Sequence, residues 1–258
     1  MNAQVFEITY LDLLICALLM LIPYAVSRWL RLGLDRDLLV GTIRVFVQLL
    51  LVGFILEWVF AINHPLPILG ILLIMTANAG VHAAKRAGLP QTRIILTAIG
   101  VIGVSSFAVS AYVFYLVVGV TPYFNPMYVI PMMGISLNGA MNAIAIGARA
   151  LDEGIRDGRE RIEAALCVGA TSWQASNYVV QRAIRQAMTP AINALMTAGI
   201  VQLPGVMTGQ IIGGVDPVMA VRYQVVIFYM LASIVALSTI GGTLILSRGY
   251  FTSSHQLK

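Results

Sequence analysis

Long apolar runs recur along the whole chain, separated by short clusters of charge, glycine and proline. They occupy roughly residues 8–29, 38–62, 66–84, 94–120, 127–148, 188–214 and 221–246. Each is close to or above the roughly 20 residues a helix needs to cross a hydrocarbon core about 30 Å thick. The breaks carry turn chemistry. Asn63-His64-Pro65-Leu66-Pro67 follows the second run, Gly88 and Pro90 follow the third, and Thr121-Pro122-Tyr123-Phe124-Asn125-Pro126 follows the fourth. Proline cannot continue a helix and drives the residue before it toward an extended conformation. The pattern predicts an all-α, polytopic membrane protein of about seven transmembrane helices, folded as one domain over residues 1–258.

One stretch departs from the pattern. Residues 149–190 hold six of the sixteen Lys and Arg residues and five of the eleven Asp and Glu residues. Leu151, Ile155, Ile162 and Leu166 fall on one helical stripe, with Gly158 in the gap. The pairs Asp152–Arg156, Arg156–Glu160 and Arg159–Glu163 stand four apart and suit a solvated helix face. Gly169-Ala170 ends that pattern. Thr171 and Gln174 then make a Thr-x-x-Gln capping box that starts a second helix. The segment reads as helix, glycine turn and helix, re-entering the membrane at Pro190. Spacing alone fits an ordinary long loop equally well.

Composition agrees with the membrane reading. The chain is 59% hydrophobic and 10% charged, with a mean hydropathy of +0.87, whereas about 25% of a soluble domain is charged. Seven spans with the N-terminus outside place fifteen of the sixteen basic residues in cytoplasmic loops or inner span ends, Arg222 being the exception. Cytoplasmic cations orient membrane proteins, so the C-terminus and residues 149–190 are expected in the cytoplasm. This asymmetry accounts for the pI of about 9.4 without a nucleic-acid partner. The start, Met1 to Asp12, carries Glu7 and Asp12 and no base, unlike the positive start of a signal peptide, so the first run is kept as a span. Cys16 and Cys167 suggest no disulfide framework. The only lysines are Lys85 and Lys258. Neither lies in the Gly-Lys-Ser/Thr of a phosphate-binding loop. The chain is therefore expected to be no enzyme and to bind no cofactor itself. Any ATP and Mg would sit on a separate subunit.

Glu163-Ala164-Ala165, three residues, then Gly169-Ala170-Thr171 resembles the EAA-xxx-G loop of ABC-transporter membrane subunits. The proline usual in importers is replaced here by Gln181-Arg182. A longer resemblance covers nearly the whole chain. It rests on Asn138-Gly139-Ala140-Met141-Asn142, Leu203-Pro204-Gly205-Val206-Met207-Thr208-Gly209, Asp216-Pro217, Tyr223-Gln224 and the terminal Ser254-His255-Gln256-Leu257. These residues resemble the FetB family, membrane subunits of a bacterial ABC transporter linked to iron export, to which a plant aluminium-tolerance protein is related. The resemblance implies an ABC ATP-binding subunit as partner, a homodimer of the permease in the bacterial inner membrane, and ATPase coupling through Glu163, Gly169, Ala170, Thr171 and the apolar anchor Trp173.

Candidate pathway residues lie in the fifth and sixth runs. Asn138 and Asn142 stand four apart and share a helix face; interhelical hydrogen bonding accounts for them equally well. Pro204 would free a backbone carbonyl one turn earlier, beside Gln202, Thr208 and Gln210. Gly205, Gly209 and Gly213 form a smooth strip suited to close helix contact, within the chain or between chains. Metal ligands are sparse. His64, His82 and His255 are far apart, the methionines suit apolar filling, and Glu57 and Asp216 are the carboxylates left for an exit site. Solvation at the headgroups explains those two equally well. The expected function is export of metal ions such as iron, driven by ATP hydrolysed on the partner. The alternatives are a secondary transporter and an ABC permease for a non-metal small molecule. The spans lack the central carboxylate that ion-coupled carriers usually hold.

Overall fold

The computed structural model describes residues 9–62, 64–89, 91–119, 125–252 and 254–258. The expected turn residues Asn63, Pro90 and Thr121 to Phe124 lie outside them, as does Glu7. Among the described residues the chain is helical without strands, apart from isolated bridges between Ala198 and Gln202 and between Phe251 and Leu257. Six helices are long and apolar enough to cross a membrane. The helices fall into two compact units, one formed by residues up to 63 with 212–214, the other by the remaining residues.

The first unit starts with α1 (Tyr10–Ala17), a 3-10 turn (Leu18–Met20) and α2 (Leu21–Trp29), together the first expected span. Pro23 has no N–H to offer the preceding turn, which accounts for the change of winding. After α2 the backbone reverses at Arg31 and Gly33, both at positive φ. Ser27 closes the reversal. Its hydroxyl donates to Asp35 Oδ1 at 2.8 Å and accepts the Leu34 N–H at 3.2 Å. The 28-residue α3 (Asp35–Ile62) follows.

The second unit contains α4 (Pro65–Arg86), α5 (Thr92–Tyr112) continued by π-turns over Val113–Val118, α6 (Pro126–Asp157), α7 (Arg159–Cys167), α8 (Ser172–Thr197), α9 (Gly205–Ile212) and α10 (Pro217–Gly249). The α6 helix is its centre, flanked by α4, α8 and α10. Small residues let these helices approach. A Cβ on Gly80 would stand 2.7 Å from the Ile99 backbone nitrogen, so only glycine allows α4 and α5 to pack so closely.

The polar segment has its own core. Leu151, Ile155, Ile162, Val179, Val180 and Phe251 are buried together, with Leu166 and Leu257 packed against them. The predicted stripe is therefore real, and burial stabilises it by about 1.5–3 kcal/mol for each large side chain. Two expected ion pairs form, Arg156–Asp152 at 3.0 Å and Arg159–Glu163 at 2.8 Å. Arg156 does not also reach Glu160. The helix stops at Asp157 and restarts at Arg159, so the four-residue register between them is lost.

The sixth expected span needs correction. It is not one helix from about 188 to 214. The α8 helix already runs from Ser172 straight through Pro190 to Thr197, and the chain then leaves helical geometry until Gly205. Ala198 is extended and Gly199 sits at φ +79. The N–H groups of Ile200 and Val201 turn back onto the Thr197 carbonyl at 3.3 and 3.0 Å. Pro204 disfavours helix at Leu203. The break is therefore a seven-residue interruption, not a single carbonyl freed inside a helix. Pro204 lies at the entry to α9, its carbonyl accepting the Thr208 N–H at 3.0 Å.

Candidate coupling helix and polar seam

The coupling residues are assembled as a helix end and a helix start. The α7 helix terminates in two reversed bonds, Gly169 N–H to Leu166 O at 3.0 Å and Ala170 N–H to Ala165 O at 3.1 Å. This double closure requires a left-handed residue, supplied by Gly169 at φ +91. Thr171 then caps α8. Its hydroxyl accepts the Gln174 N–H at 3.3 Å, and the Gln174 side-chain oxygen accepts the Thr171 N–H at 2.9 Å. The predicted capping box is present with both arms. Glu163 lies on the exposed face of α7, paired with Arg159. Trp173, in the first turn of α8, is 51% exposed. An indole so open at the head of a helix is available to a partner.

The C-terminal tail reaches the same helix start. His255, at φ +58, points its Nδ1 at Ser172, accepting the backbone N–H at 3.3 Å and standing 2.8 Å from the hydroxyl. The tail is held by the Phe251–Leu257 bridge, by the Lys258 N–H on Tyr250 O at 2.9 Å and by Lys258 Nζ on Gly249 O at 3.1 Å. Tyr250 in turn donates to Asp152 at 2.7 Å. Burial, and then the bond and negative charge of Asp152, push the Tyr250 phenol well above its ordinary pKa of 10.0. Sequence reasoning marked Ser254-His255-Gln256-Leu257 but gave it no role. Its role here is contact across 83 positions, and no local pattern encodes that.

The pathway candidates separate into two groups. On α6, Asn138 is exposed and Asn142 half-buried, with Asn142 Nδ2 donating to Asn138 Oδ1 at 3.5 Å. Arg86, in the last turn of α4, donates to Asn142 Oδ1. The sequence pattern did not single out Arg86. The available signal was the four-residue spacing of Asn78, His82 and Arg86 along α4. The other group follows the broken span. Gln202 is exposed in the interruption, the Thr208 hydroxyl donates to Pro204 O at 3.2 Å, and Gln210 holds a buried side-chain oxygen without a hydrogen-bond partner. Among the described residues nothing stands within 4 Å of a Cβ placed on Gly205 or Gly209.

The carboxylates do not gather. Asp216 caps α10, Oδ2 accepting the Met219 N–H at 3.1 Å ahead of Pro217, and Glu57 lies exposed near the end of α3. Among the described residues no three His, Cys, Asp or Glu side chains are grouped for a metal.

Comparison with known proteins accords with this picture. No solved structure matches the chain. It is 31% identical to the "Probable iron export permease protein FetB" of Escherichia coli, over 97% of this chain and 95% of that protein. It is 33% identical to the membrane protein STAR2 of Oryza sativa subsp. japonica, over 90% of this chain and 80% of the rice protein. Identity with the "Protein ALUMINUM SENSITIVE 3" of Arabidopsis thaliana is 30%, over 88% and 82%. The sequence profile of the uncharacterised protein family UPF0014 matches residues 10–251. The chain belongs to the UPF0014 family of multi-pass membrane proteins.

Proposed function

We propose that the chain is the membrane subunit of an ATP-driven exporter in the bacterial inner membrane, working as two copies with two ABC-type ATP-binding subunits. Its N-terminus lies outside, and residues 149–190 and the C-terminus lie in the cytoplasm, as the distribution of cations favours. The observation that carries this reading is the continuity of α8. The capped end bearing Trp173 and the stretch beyond Pro190 are one 26-residue helix, about 39 Å long at 1.5 Å per residue. Displacement of its cytoplasmic end is transmitted to the interrupted span without a joint. A partner that closes on ATP and opens on hydrolysis would shift the chain between two access states through this rod. Glu163, Gly169, Ala170 and Thr171 set the position and start of the rod, and Trp173 anchors the partner. Asn138, Asn142, Gln202, Pro204, Thr208 and Gln210 line the route.

Iron is the cargo we assign, on the likeness to the E. coli protein, which is named a probable iron export permease. The test is ATP hydrolysis by the purified chain with a candidate ABC ATP-binding subunit in lipid vesicles, with and without iron, supplied both as Fe²⁺ and as ferric citrate. Hydrolysis that rises only when both proteins and the metal are present is the expected result. Association with metal-indifferent hydrolysis would retain the transporter and remove iron. Absence of any association would overturn the proposal in favour of a secondary transporter.

A further inference from the structure

The contact between Arg86 and the Asn138–Asn142 pair bears on the chemical form of the cargo. Both asparagines lie near the middle of the 32-residue α6, where an amide facing lipid would be costly. Arg86 heads a stripe with Asn78 and His82 on the neighbouring α4. These helices pack side by side, and a Cβ on Gly134 would stand 3.2 Å from Met75 Cε. Asn78, Arg86 and Asn138 are all exposed in the single chain, so the seam opens onto a surface instead of closing into the core. Among the described residues Arg86 has no carboxylate partner. The Asn142 oxygen engages only one of its five N–H donors.

Such a surface offers hydrogen-bond donors and a permanent positive charge. It offers no anionic ligand to a bare divalent ion, which it would repel. A guanidinium with unused donors matches carboxylate or phosphate oxygens.

We propose that the α4–α6 seam, headed by Arg86 with Asn142 and Asn138, binds an oxyanionic cargo, so that metal is carried as an anionic chelate and not as a free cation. This rests on the transporter reading above and refines its cargo. Arg86 supplies charge and donors, Asn142 holds the guanidinium along the seam, and Asn138 steadies Asn142.

Binding to the purified full chain in lipid nanodiscs tests this without the ATPase. The probes are ferric citrate, citrate alone, pyrophosphate and anaerobic Fe²⁺ alone, followed by equilibrium dialysis. Ferric citrate and pyrophosphate are expected to bind and to compete. R86Q should weaken both by at least tenfold, and R86K by less. N142D places a carboxylate against Arg86 without changing side-chain size. It should lower oxyanion binding similarly, which guards against misreading a folding defect in R86Q. Equal thermal melting of the variants checks the same point. Stronger binding of citrate and its chelate than of pyrophosphate identifies carboxylate as the source, and the reverse order identifies phosphate. Fe²⁺ binding alone, unchanged or strengthened in R86Q, would overturn the proposal. So would failure of every oxyanion to bind the unaltered chain. Oxyanion binding without ATP-driven flux would overturn the transporter reading and leave the seam as an anion site. Flux without oxyanion binding would overturn the seam alone.

Discussion

At the scale of single residues, Tyr250 and His255 carry the connections that bind the polar segment and the C-terminal tail together. The Tyr250 hydroxyl spans from the end of α10 to Asp152 on α6, and His255 spans from the tail to Ser172 on α8. Neither bond exists within a segment, so each costs chain entropy that the small apolar core around Phe251 must offset. Replacing Tyr250 with Phe keeps the ring in place and removes the donor to a charged acceptor. The expected loss is about 1.5–3 kcal/mol of stability, read as a lower denaturation midpoint in detergent. The pH dependence follows from the raised phenol pKa. A group that binds its proton more tightly in the folded chain contributes stability fully present below its unfolded pKa of 10.0. That contribution is lost as pH rises through the still higher folded value. The difference between Tyr250→Phe and the unaltered chain should therefore be flat from pH 7 to about 9 and shrink above about 10.

At the scale of elements, the turn between α7 and α8 decides where α8 points. Gly169 holds φ +91, and nothing stands within 4 Å of a Cβ placed there. Gly169→Ala therefore meets no steric obstacle, and its whole cost is backbone strain of about 1–2 kcal/mol. Hydrogen exchange should show faster opening of the α7 C-terminus and the first turn of α8, while the protection of α6 and α10 stays unchanged. Loss of protection across all helices would instead mean that the turn nucleates the whole unit. The interrupted span shows the opposite balance. Pro190 leaves α8 intact, yet the sequence from Ala198 to Pro204 stops it. One missing N–H in a long, flanked helix is tolerated in membrane proteins. A left-handed glycine at Gly199 followed by the conformational restriction of Leu203-Pro204 is not.

At the scale of the whole molecule, Trp173 at the head of α8 and the α4–α6 seam residues Asn78, Arg86 and Asn138 are exposed, and nothing among the described residues stands within 4 Å of a Cβ placed on Gly205 or Gly209. Trp173→Ala is expected to leave the chain folded and inserted, because the indole is half exposed. It should nevertheless weaken association with the ATPase roughly 30-fold or more, the scale of an aromatic anchor worth about 2 kcal/mol or more. Co-purification titrated against ATPase concentration measures this, and unchanged association would move the docking site away from α8.

The membrane class, the positions of six of the seven expected spans, the polar segment and its glycine turn with capping box were readable from the chain. Each depends on interactions within one to four residues or on apolar runs about 20 residues long. Hydropathy alone overstated the sixth span because composition sums over a window and is indifferent to the backbone angles of Gly199 and Leu203. The clasp of His255 on Ser172, the bond of Tyr250 to Asp152 and the reach of Arg86 to Asn142 came only with the tertiary structure. They join residues 83, 98 and 56 positions apart. Such pairs are specified by how α4, α6, α8 and α10 pack, and packing is a property of the assembled helices, absent from the pattern of any one of them.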